Sequence, residues 1–242
     1  SSKDCNLENE VDVEKLFDKY KPYYVIHLAA YVGGLYRNMK EKVQMFEKNM
    51  AINLNVIKYC HKFDVKKLIC CLSTCIFPDN TKYPINETML HNGPPHQSND
   101  AYAYAKRMME VHCEAYKQQY NSNFMCVIPT NIYGPYDNFS LANGHVIPAL
   151  IHKCYVANLN SKQLKVCGSG TPWRQFLYSL DLGKILVKLL LDYDKNESLI
   201  IAPNEEVQIK KLAHILAAHT KLEKWIEFNN ECSDGQYKKT AD

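Results

Sequence analysis

Three polar side chains, Ser73, Tyr102 and Lys106, are of the types that hold and protonate a carbonyl oxygen. Tyr102 and Lys106 are four residues apart in a segment with helical periodicity, so both side chains lie on one face of the predicted helix. A cation beside a phenol lowers the phenol pKa from about 10, which makes tyrosine an effective acid near neutral pH. Ser73 closes a buried strand-like run, where an open α/β sheet has its ligand crevice. Together the three residues predict a carbonyl-handling site.

Each candidate residue also has a purely structural explanation. The YxxxK spacing often arises by chance, and tyrosine–lysine pairs are common on protein surfaces. Taken singly, Ser73 fits a strand cap, Cys75 a small buried hydrophobe, and His145 a helix N-terminal residue bonded to backbone. The order along the chain, with a serine at a strand end, a long loop and then the Tyr102 helix, favours the functional interpretation.

The elements that must position these residues alternate between strands and helices. Short β-rich runs precede longer segments whose apolar residues repeat at three and four, which predicts parallel strands connected by helices. The strands are predicted at 23–30, 66–74 and 123–130, and the helices at 43–63 and 100–120. We predict an α/β fold: a Rossmann-like doubly wound parallel sheet binds NADP over residues 1–135, and residues 136–242 form mostly a smaller substrate-binding lobe, with some segments returning to the sheet.

The composition is typical of a globular enzyme. Of 242 residues, 46% are hydrophobic and 23% are charged, and no apolar run approaches the 18 or so residues of a membrane helix. A net charge of +3 is too small and too dispersed to indicate nucleic-acid binding. The 10 cysteines contain no CxxC pair and no zinc-site spacing, so we expect reduced thiols, no metal and a cytoplasmic location. Cys70 and Cys71, inside a predicted strand, are expected to pack in the core.

Several sequence blocks resemble the extended short-chain dehydrogenase/reductases. The blocks are HLAA, LSTCIFP, YAYAK, PTNIYGPYDNF, GHVIPALIHK and GSGTPWRQFLYSLD. Together with STC, NGHVIP and DGQYKK, they are most similar to the bifunctional members that epimerise and reduce a GDP-linked ketosugar, over residues 2–242. The resemblance implies conversion of GDP-4-keto-6-deoxy-D-mannose to GDP-L-fucose by C3 and C5 epimerisation and NADPH-dependent C4 reduction. It also implies a homodimer formed through the helices at 43–63 and 100–120.

The same resemblance implies catalytic roles for five residues. Cys75 and His145 would exchange protons at C3 and C5, which are acidified when hydrogen-bond donors hold the enolate oxygen at C4. Ser73 and Tyr102 would supply those donors, and Tyr102 would then protonate the C4 alkoxide. Lys106 would tune Tyr102 and contact the nicotinamide ribose.

Binding residues are likewise implied by the resemblance. For NADPH they are Ala29, Ala30, Cys71, Leu72, Thr74, Lys106, Pro129, Thr130, Asn131, Ile132 and His145. For the sugar and the GDP group they are Asn131, Lys153, Cys167, Arg174, Asp234 and Lys239. Cys167 stands where the family pattern has tryptophan, for which the nearby Trp173 is a candidate substitute. Lys153 stands where some members carry arginine, and it keeps the point charge but not the bidentate geometry.

The glycine-rich fingerprint that lets a strand-to-helix turn approach a pyrophosphate is absent from this sequence. Neither GSGTPW nor VGGLYR supplies it. By analogy with a βαβ unit, we expect about forty further residues before the start of the chain in the parent protein, and a last helix after its end. We accordingly expect the chain alone to bind NADPH poorly.

Two other functions stay open at this stage. One is another nucleotide-sugar enzyme of the family, a 4-epimerase or a 4,6-dehydratase; dehydratases carry acid and base residues directly after the strand serine or threonine, a pattern that Cys75 does not fit. The other is a non-catalytic binding relative, in which the complete catalytic set would be unexpected. For the enzyme we expect a small-molecule GDP-sugar partner, no nucleic acid and no membrane.

Overall fold

The computed structural model describes residues 4–195, 197–222 and 225–242. In chain order the elements are α1 (Glu10–Tyr20), β1 (Tyr24–His27), α2 (Leu35–Lys40), α3 (Lys42–Lys62), β2 (Lys67–Cys71), α4 (Asp100–Tyr120), β3 (Phe124–Pro129), β4 (Asn131–Tyr133), α5 (Val146–Leu159), β5 (Leu164–Cys167), β6 (Trp173–Arg174), β7 (Phe176–Tyr178), α6 (Ser179–Asp192), β8 (Leu199–Ile201), β9 (Val207–Gln208), α7 (Ile209–Ala218) and β10 (Ile226–Asn229). Two short 3-10 turns, Thr74–Ile76 and Glu87–Met89, lie in the long loop between β2 and α4.

Four parallel strands in the order β1-β2-β3-β8 form the central sheet. The register pairs His27 with Cys70 and Cys71 with Val127. Every residue of β2 and β3 is buried, because both faces of the sheet are covered, and this explains why both sequences are apolar apart from Lys67 at the start of β2. The α/β fold with a parallel sheet, predicted from the sequence, is confirmed.

Helices pack on both faces of this sheet. Alternate residues of a strand point to opposite faces, so Leu68 and Cys70 join the core beneath α3 and α4, whereas Ile69 joins the core beneath α6. The first of these cores also contains Val13 of α1. Helix α1 was absent from the sequence-based prediction, although the side chain of Asn9 caps it by accepting hydrogen bonds from two backbone amides.

The element boundaries near the site differ in part from the prediction. Helix α4 begins and ends where it was predicted. The predicted strand at 66–74 ends at Cys71, however, because Thr74–Ile76 turn into a 3-10 helix that Ser73 caps. The predicted strand at 23–30 ends at His27, so the next residues form a loop. Ser73 therefore lies beyond its strand instead of closing it.

A second core lies among α5, α7 and β5. Its buried members include Leu150, Val166 and Leu212, and β5 pairs in parallel with β10. β8 comes from the C-terminal half of the chain and joins the central sheet beside β3. The division of the chain near residue 135 stays a prediction. Among the described residues, no helix has the length and apolar character needed to cross a membrane.

Candidate active site

A cleft of about 650 Å³ opens at the carboxyl ends of β2 and β3, a volume in the range of small-molecule sites. It brings together the sequence-predicted residues Ala30, Cys71, Leu72, Ser73, Cys75, Tyr102, Lys106, Pro129, Thr130, Asn131, Ile132, His145, Lys153, Cys167, Arg174, Asp234 and Lys239. Two predicted cofactor residues, Ala29 and Thr74, are not among its lining residues. The side chains continue to alternate in direction after β1, so the two neighbours of Ala29 line the cleft and Ala29 does not. Thr74 lies in the 3-10 turn, where it is buried.

The turn after β2 carries Ser73 and Cys75. The Ser73 hydroxyl accepts a hydrogen bond from the Cys75 amide at 3.5 Å, and one 3-10 turn follows. Cys75 is only 4% exposed, yet it lines the cleft. Cys70 and Cys71 belong to the buried strand as predicted, and the Cys71 backbone also borders the cleft. All ten cysteines are free thiols.

Tyr102 and Lys106 project from α4 into the same cleft. The Lys106 ammonium is 5.9 Å from the centre of the Tyr102 ring and donates a 2.8 Å hydrogen bond to the Cys71 carbonyl. Burial lowers the pKa of Lys106 and raises the pKa of Tyr102, and the nearby Cys75 and Cys71 raise the Tyr102 pKa further. The expectation of a lowered Tyr102 pKa is therefore wrong for this structure, because burial disfavours the charged phenolate.

His145 is the N-cap residue of α5, and its side chain makes no capping hydrogen bond. The imidazole of His145 borders the cleft, and partial burial by the surrounding protein lowers its pKa. The Asp137 carboxylate acts to raise this pKa, and the Lys239 ammonium acts to lower it further. The glycine before it is required, since a Cβ on Gly144 would lie 2.4 Å from the Asn138 carbonyl. The imidazole is accordingly neutral at pH 7.

Arg174 and Lys239 bring positive charge to the same cleft. The Arg174 guanidinium donates to the carbonyls of Trp173, Gln236 and Tyr237 at 2.7, 2.5 and 3.2 Å, which leaves part of its five-donor fork for a ligand. Burial lowers the pKa of Lys239 to about 8, and the Arg174 charge acts in the same direction, while Cys75 opposes it. Lys239 is thus electrostatically coupled to Cys75 as well as to His145.

Two residues lie at the far end of the cleft: Cys167, the last residue of β5, and Asp234, in the segment after β10. Both oxygens of Asp234 accept 2.7 Å hydrogen bonds from Ser169, one from its amide and one from its hydroxyl. Gly168 has φ +87°, and a Cβ there would lie 2.3 Å from Asp234. In this structure Asp234 therefore holds the glycine turn, an arrangement the sequence did not predict.

The tyrosine near Cys167 is Tyr36, which lines the cleft with it; burial raises the pKa of Tyr36, and its interactions with the Cys232 and Cys167 thiols act in the same direction. Trp173, the candidate substitute, is not among the residues that line the cleft. Tyr36 was not singled out in the sequence, although the VGGLYR run directly after a strand contains it. That run packs against the loop before His145, where a Cβ on Gly34 would lie 2.7 Å from the Gly144 carbonyl.

The residues that border β3 fit part of a nicotinamide cofactor. The Thr130 hydroxyl is buried at the strand end and has no hydrogen-bond partner within the described part of the chain. Asn131 is fixed beside it, since its side-chain amide donates 2.9 Å to the Gln175 carbonyl. A buried hydroxyl without a partner is costly unless a ligand supplies one. The site therefore has a place for a polar group of a ligand at this strand end.

Comparisons with known proteins agree with this geometry. The profile of the NAD dependent epimerase/dehydratase family matches residues 2–202. The chain is 51% identical to a GDP-L-fucose synthase of Dictyostelium discoideum, over 99% of this chain and 76% of that protein. It is 43% identical to a probable GDP-L-fucose synthase of Drosophila melanogaster, over 99% of this chain and 78% of that protein.

Among solved structures, a GDP-L-fucose synthetase from Naegleria fowleri bound to NADP superposes with a TM-score of 0.92 at 42% identity, covering 100% of this chain and 75% of that one. A GDP-mannoheptose C4 reductase from Campylobacter jejuni with NADP bound superposes with a TM-score of 0.89 at 26% identity, covering 100% of this chain and 80% of that one. The chain therefore belongs to the NAD-dependent epimerase/dehydratase family and, within it, to the GDP-L-fucose synthases.

Proposed function

We propose that this chain catalyses the NADPH-dependent conversion of GDP-4-keto-6-deoxy-D-mannose to GDP-L-fucose, by epimerisation at C3 and C5 and reduction at C4. The observation that carries this proposal is the convergence of Ser73, Cys75, Tyr102, Lys106 and His145 on one cleft. Relatives named GDP-L-fucose synthase match nearly the whole chain, and a related synthetase binds NADP. One oxyanion site then serves both half-reactions.

Cys75 and His145 are the proton-transfer groups of the epimerisation. They reach the cleft from two different elements, the turn after β2 and the start of α5, as expected for groups that remove and return a proton at the same carbon. The lowered pKa of His145 favours the neutral imidazole, which can accept a proton, and the imidazolium formed in that step can return one. Ser73 and Tyr102 donate to the C4 oxygen while it carries enolate charge.

Tyr102 is the acid of the reduction. NADPH, when bound, would supply the hydride for C4, and Tyr102 would protonate the oxygen there. The raised pKa of Tyr102 makes the phenol a weaker acid but keeps it protonated at neutral pH, so its proton is present when the far more basic alkoxide develops at C4. Lys106 stays fixed on the Cys71 carbonyl and stabilises the phenolate once the proton has left. Ser73 gives the oxygen a second donor.

The remaining cleft residues divide between the two ligands. Ala30, Leu72, Pro129, Thr130, Asn131 and Ile132 border the strand ends and would hold the nicotinamide half of NADPH. Lys153, Arg174 and Lys239 carry positive charge toward the GDP diphosphate. The partner is accordingly a small anionic nucleotide sugar.

We also propose a homodimer formed through α3 and α4. Their outer surfaces keep apolar side chains exposed, including Leu54, Met108 and Val111 at 45%, 38% and 44%. Such residues on adjacent helices fit a helix-packed interface. The cytoplasm is the location that suits ten free thiols.

The test uses the full-length protein with GDP-4-keto-6-deoxy-D-mannose and NADPH in deuterated water. We expect deuterium at C3 and C5 and stoichiometric oxidation of NADPH. Cys75→Ser should slow label incorporation by roughly 10²-fold, the scale of one general acid–base group, and should spare the reduction of a pre-epimerised substrate. Cys5→Ser, outside the cleft, is the matched control. Equal loss of both steps in Cys75→Ser would contradict this division of labour, and turnover without label would contradict the epimerase assignment.

A further inference from the structure

Arg107 is a buried cation that the proposed reaction does not use. It follows Lys106 on α4 and is only 5% exposed. Its Nε donates a 2.5 Å hydrogen bond to the carbonyl of Ile76, the residue after Cys75. Its Nη2 is buried and has no hydrogen-bond partner among residues 4–195, 197–222 and 225–242. An arginine thus touches the backbone that carries Cys75.

Consecutive residues of α4 hold the two sides of one loop. Lys106 bonds to the Cys71 carbonyl, at the end of β2, and Arg107 bonds to the Ile76 carbonyl, at the end of the 3-10 turn. The Ser73 hydroxyl fixes the start of that turn by accepting from the Cys75 amide. Cys75 is therefore placed between three side-chain anchors, two of them cationic.

The charge of Arg107 lacks a carboxylate partner. None of the ion pairs formed within the described residues includes Arg107, although a buried unpaired charge costs several kcal/mol. Burial lowers its pKa, and the opposing interactions come from Tyr104 and Cys75. The Arg107 charge therefore lies against the turn that carries Cys75, with no carboxylate of the described residues paired to it.

We propose that Arg107 is a positioning residue for Cys75: it fixes the turn through the Ile76 carbonyl and so holds the Cys75 side chain at the cleft. This inference rests on the proposed role of Cys75 in epimerisation. The other titratable groups coupled to Cys75 are Tyr102 and Lys106 from α4 and Lys239 from the C-terminal segment. Arg107 differs from the two lysines because it alone among these cations contacts the turn itself.

A purely structural role for Arg107 predicts a different result from a positioning one. If the side chain only stabilises the fold, its loss lowers stability and slows epimerisation and reduction alike. If it positions Cys75 through the Ile76 carbonyl, its loss slows epimerisation and spares the reduction of a pre-epimerised substrate, and a lysine at this position partly restores epimerisation. The ratio of the two rates therefore separates the two roles.

The experiment compares Arg107→Gln and Arg107→Lys with the wild-type full-length protein. The control is Lys67→Gln, because Lys67 is another buried cation, 4% exposed, that bonds to the Leu189 and Tyr193 carbonyls away from the cleft. Deuterium incorporation at C3 and C5 of the sugar is measured from pH 6 to 10. Over the same range, peptide mapping measures the rate at which iodoacetamide alkylates Cys75, which reports whether the thiol is still accessible. Thermal unfolding shows which variants are folded.

We expect Arg107→Gln to slow deuterium incorporation at C3 and C5 roughly tenfold, because the turn that carries Cys75 is no longer fixed. Reduction of a pre-epimerised substrate should change less than about twofold, and Arg107→Lys should recover part of the incorporation rate. Incorporation at the wild-type rate in Arg107→Gln, with Cys75→Ser inactive in epimerisation, would overturn the Arg107 proposal alone. Normal incorporation in Cys75→Ser would overturn the proposed role of Cys75 itself.

Discussion

The reaction end of the cleft, built by α4 and the turn after β2, differs from the nucleotide end, built by the turns after β5 and β10, in how its charges are held. At the reaction end, Lys106 and Arg107 are 2% and 5% exposed and each donates to a backbone carbonyl. At the nucleotide end, the exposed Asp234 bonds to the half-buried Ser169, and Cys167 is open to solvent. The first end is fixed by the core of the sheet, whereas Asp234 and Cys167 are held by contacts near the surface, and Arg174, which donates to three backbone carbonyls, is the firmly held group of the second end.

This difference has a kinetic consequence. Buried groups on rigid elements cannot relax when charge develops, so they contribute mainly to transition-state stabilisation. Exposed groups in turns are screened by water and contribute similarly to ground-state and transition-state binding. We therefore expect substitutions at the reaction end to lower kcat, and substitutions at the nucleotide end to raise KM for the GDP-sugar.

The largest effect is expected for Tyr102→Phe. This change removes the proton donor at the C4 oxygen and should lower kcat for reduction by roughly 10²- to 10⁴-fold. NADPH oxidation with a pre-epimerised substrate measures it directly. Tyr104→Phe is the matched control, because Tyr104 is 39% exposed and is not among the lining residues of the cleft. Normal turnover in Tyr102→Phe would remove Tyr102 as the donor and with it the contrast between the two ends.

The reaction end was largely predictable from the sequence, because its residues lie on strongly patterned elements. The apolar repeat of α4 placed Tyr102 and Lys106 on one helical face, and the continuous apolar run of β2 placed the turn at its carboxyl end. The sequence did not give the sign of the Tyr102 pKa shift, since that depends on how far neighbouring segments exclude water. The sequence also did not identify Arg107. The hydrogen-bond acceptor of Arg107 is the Ile76 carbonyl, which lies in a turn whose geometry no local sequence pattern encodes.

The nucleotide end was predicted less completely, since it depends on contacts between segments far apart in the chain. The bonds between Asp234 and Ser169, like the contact of Tyr36 with Cys167, join residues that no periodicity relates. The short strands β6, β7 and β9 are likewise formed by pairing and carry little local signal.

A second prediction concerns pH and Lys239. With a pKa of about 8, Lys239 is positively charged below that pH and loses its charge above it. KM for the GDP-sugar should therefore rise, by roughly tenfold, between pH 7 and pH 9.5, as one charge-assisted contact to the diphosphate is lost. His145, whose pKa is lowered from its ordinary value, stays neutral throughout this range. Steady-state kinetics over pH test this, and Lys239→Met should have a high KM that no longer varies with pH. A pH-independent KM in the wild type would contradict the role of Lys239.

The smallest effect, a change in KM for the GDP-sugar, is expected for Tyr36→Ala. This substitution tests whether an aromatic ring contacts the nucleotide even though position 167 is a cysteine. If the Tyr36 ring packs against the guanine base, Tyr36→Ala should raise KM for the GDP-sugar about threefold to tenfold, the value of one aromatic contact, and should leave kcat unchanged. Cys167→Trp placed in the Tyr36→Ala background should return the lost affinity, because the two side chains are in contact and reach the same space. Cys167→Ser in the same background is the control. A fall in kcat in Tyr36→Ala would show that the nucleotide end also acts in the chemical step, and the contrast between the two ends would fail.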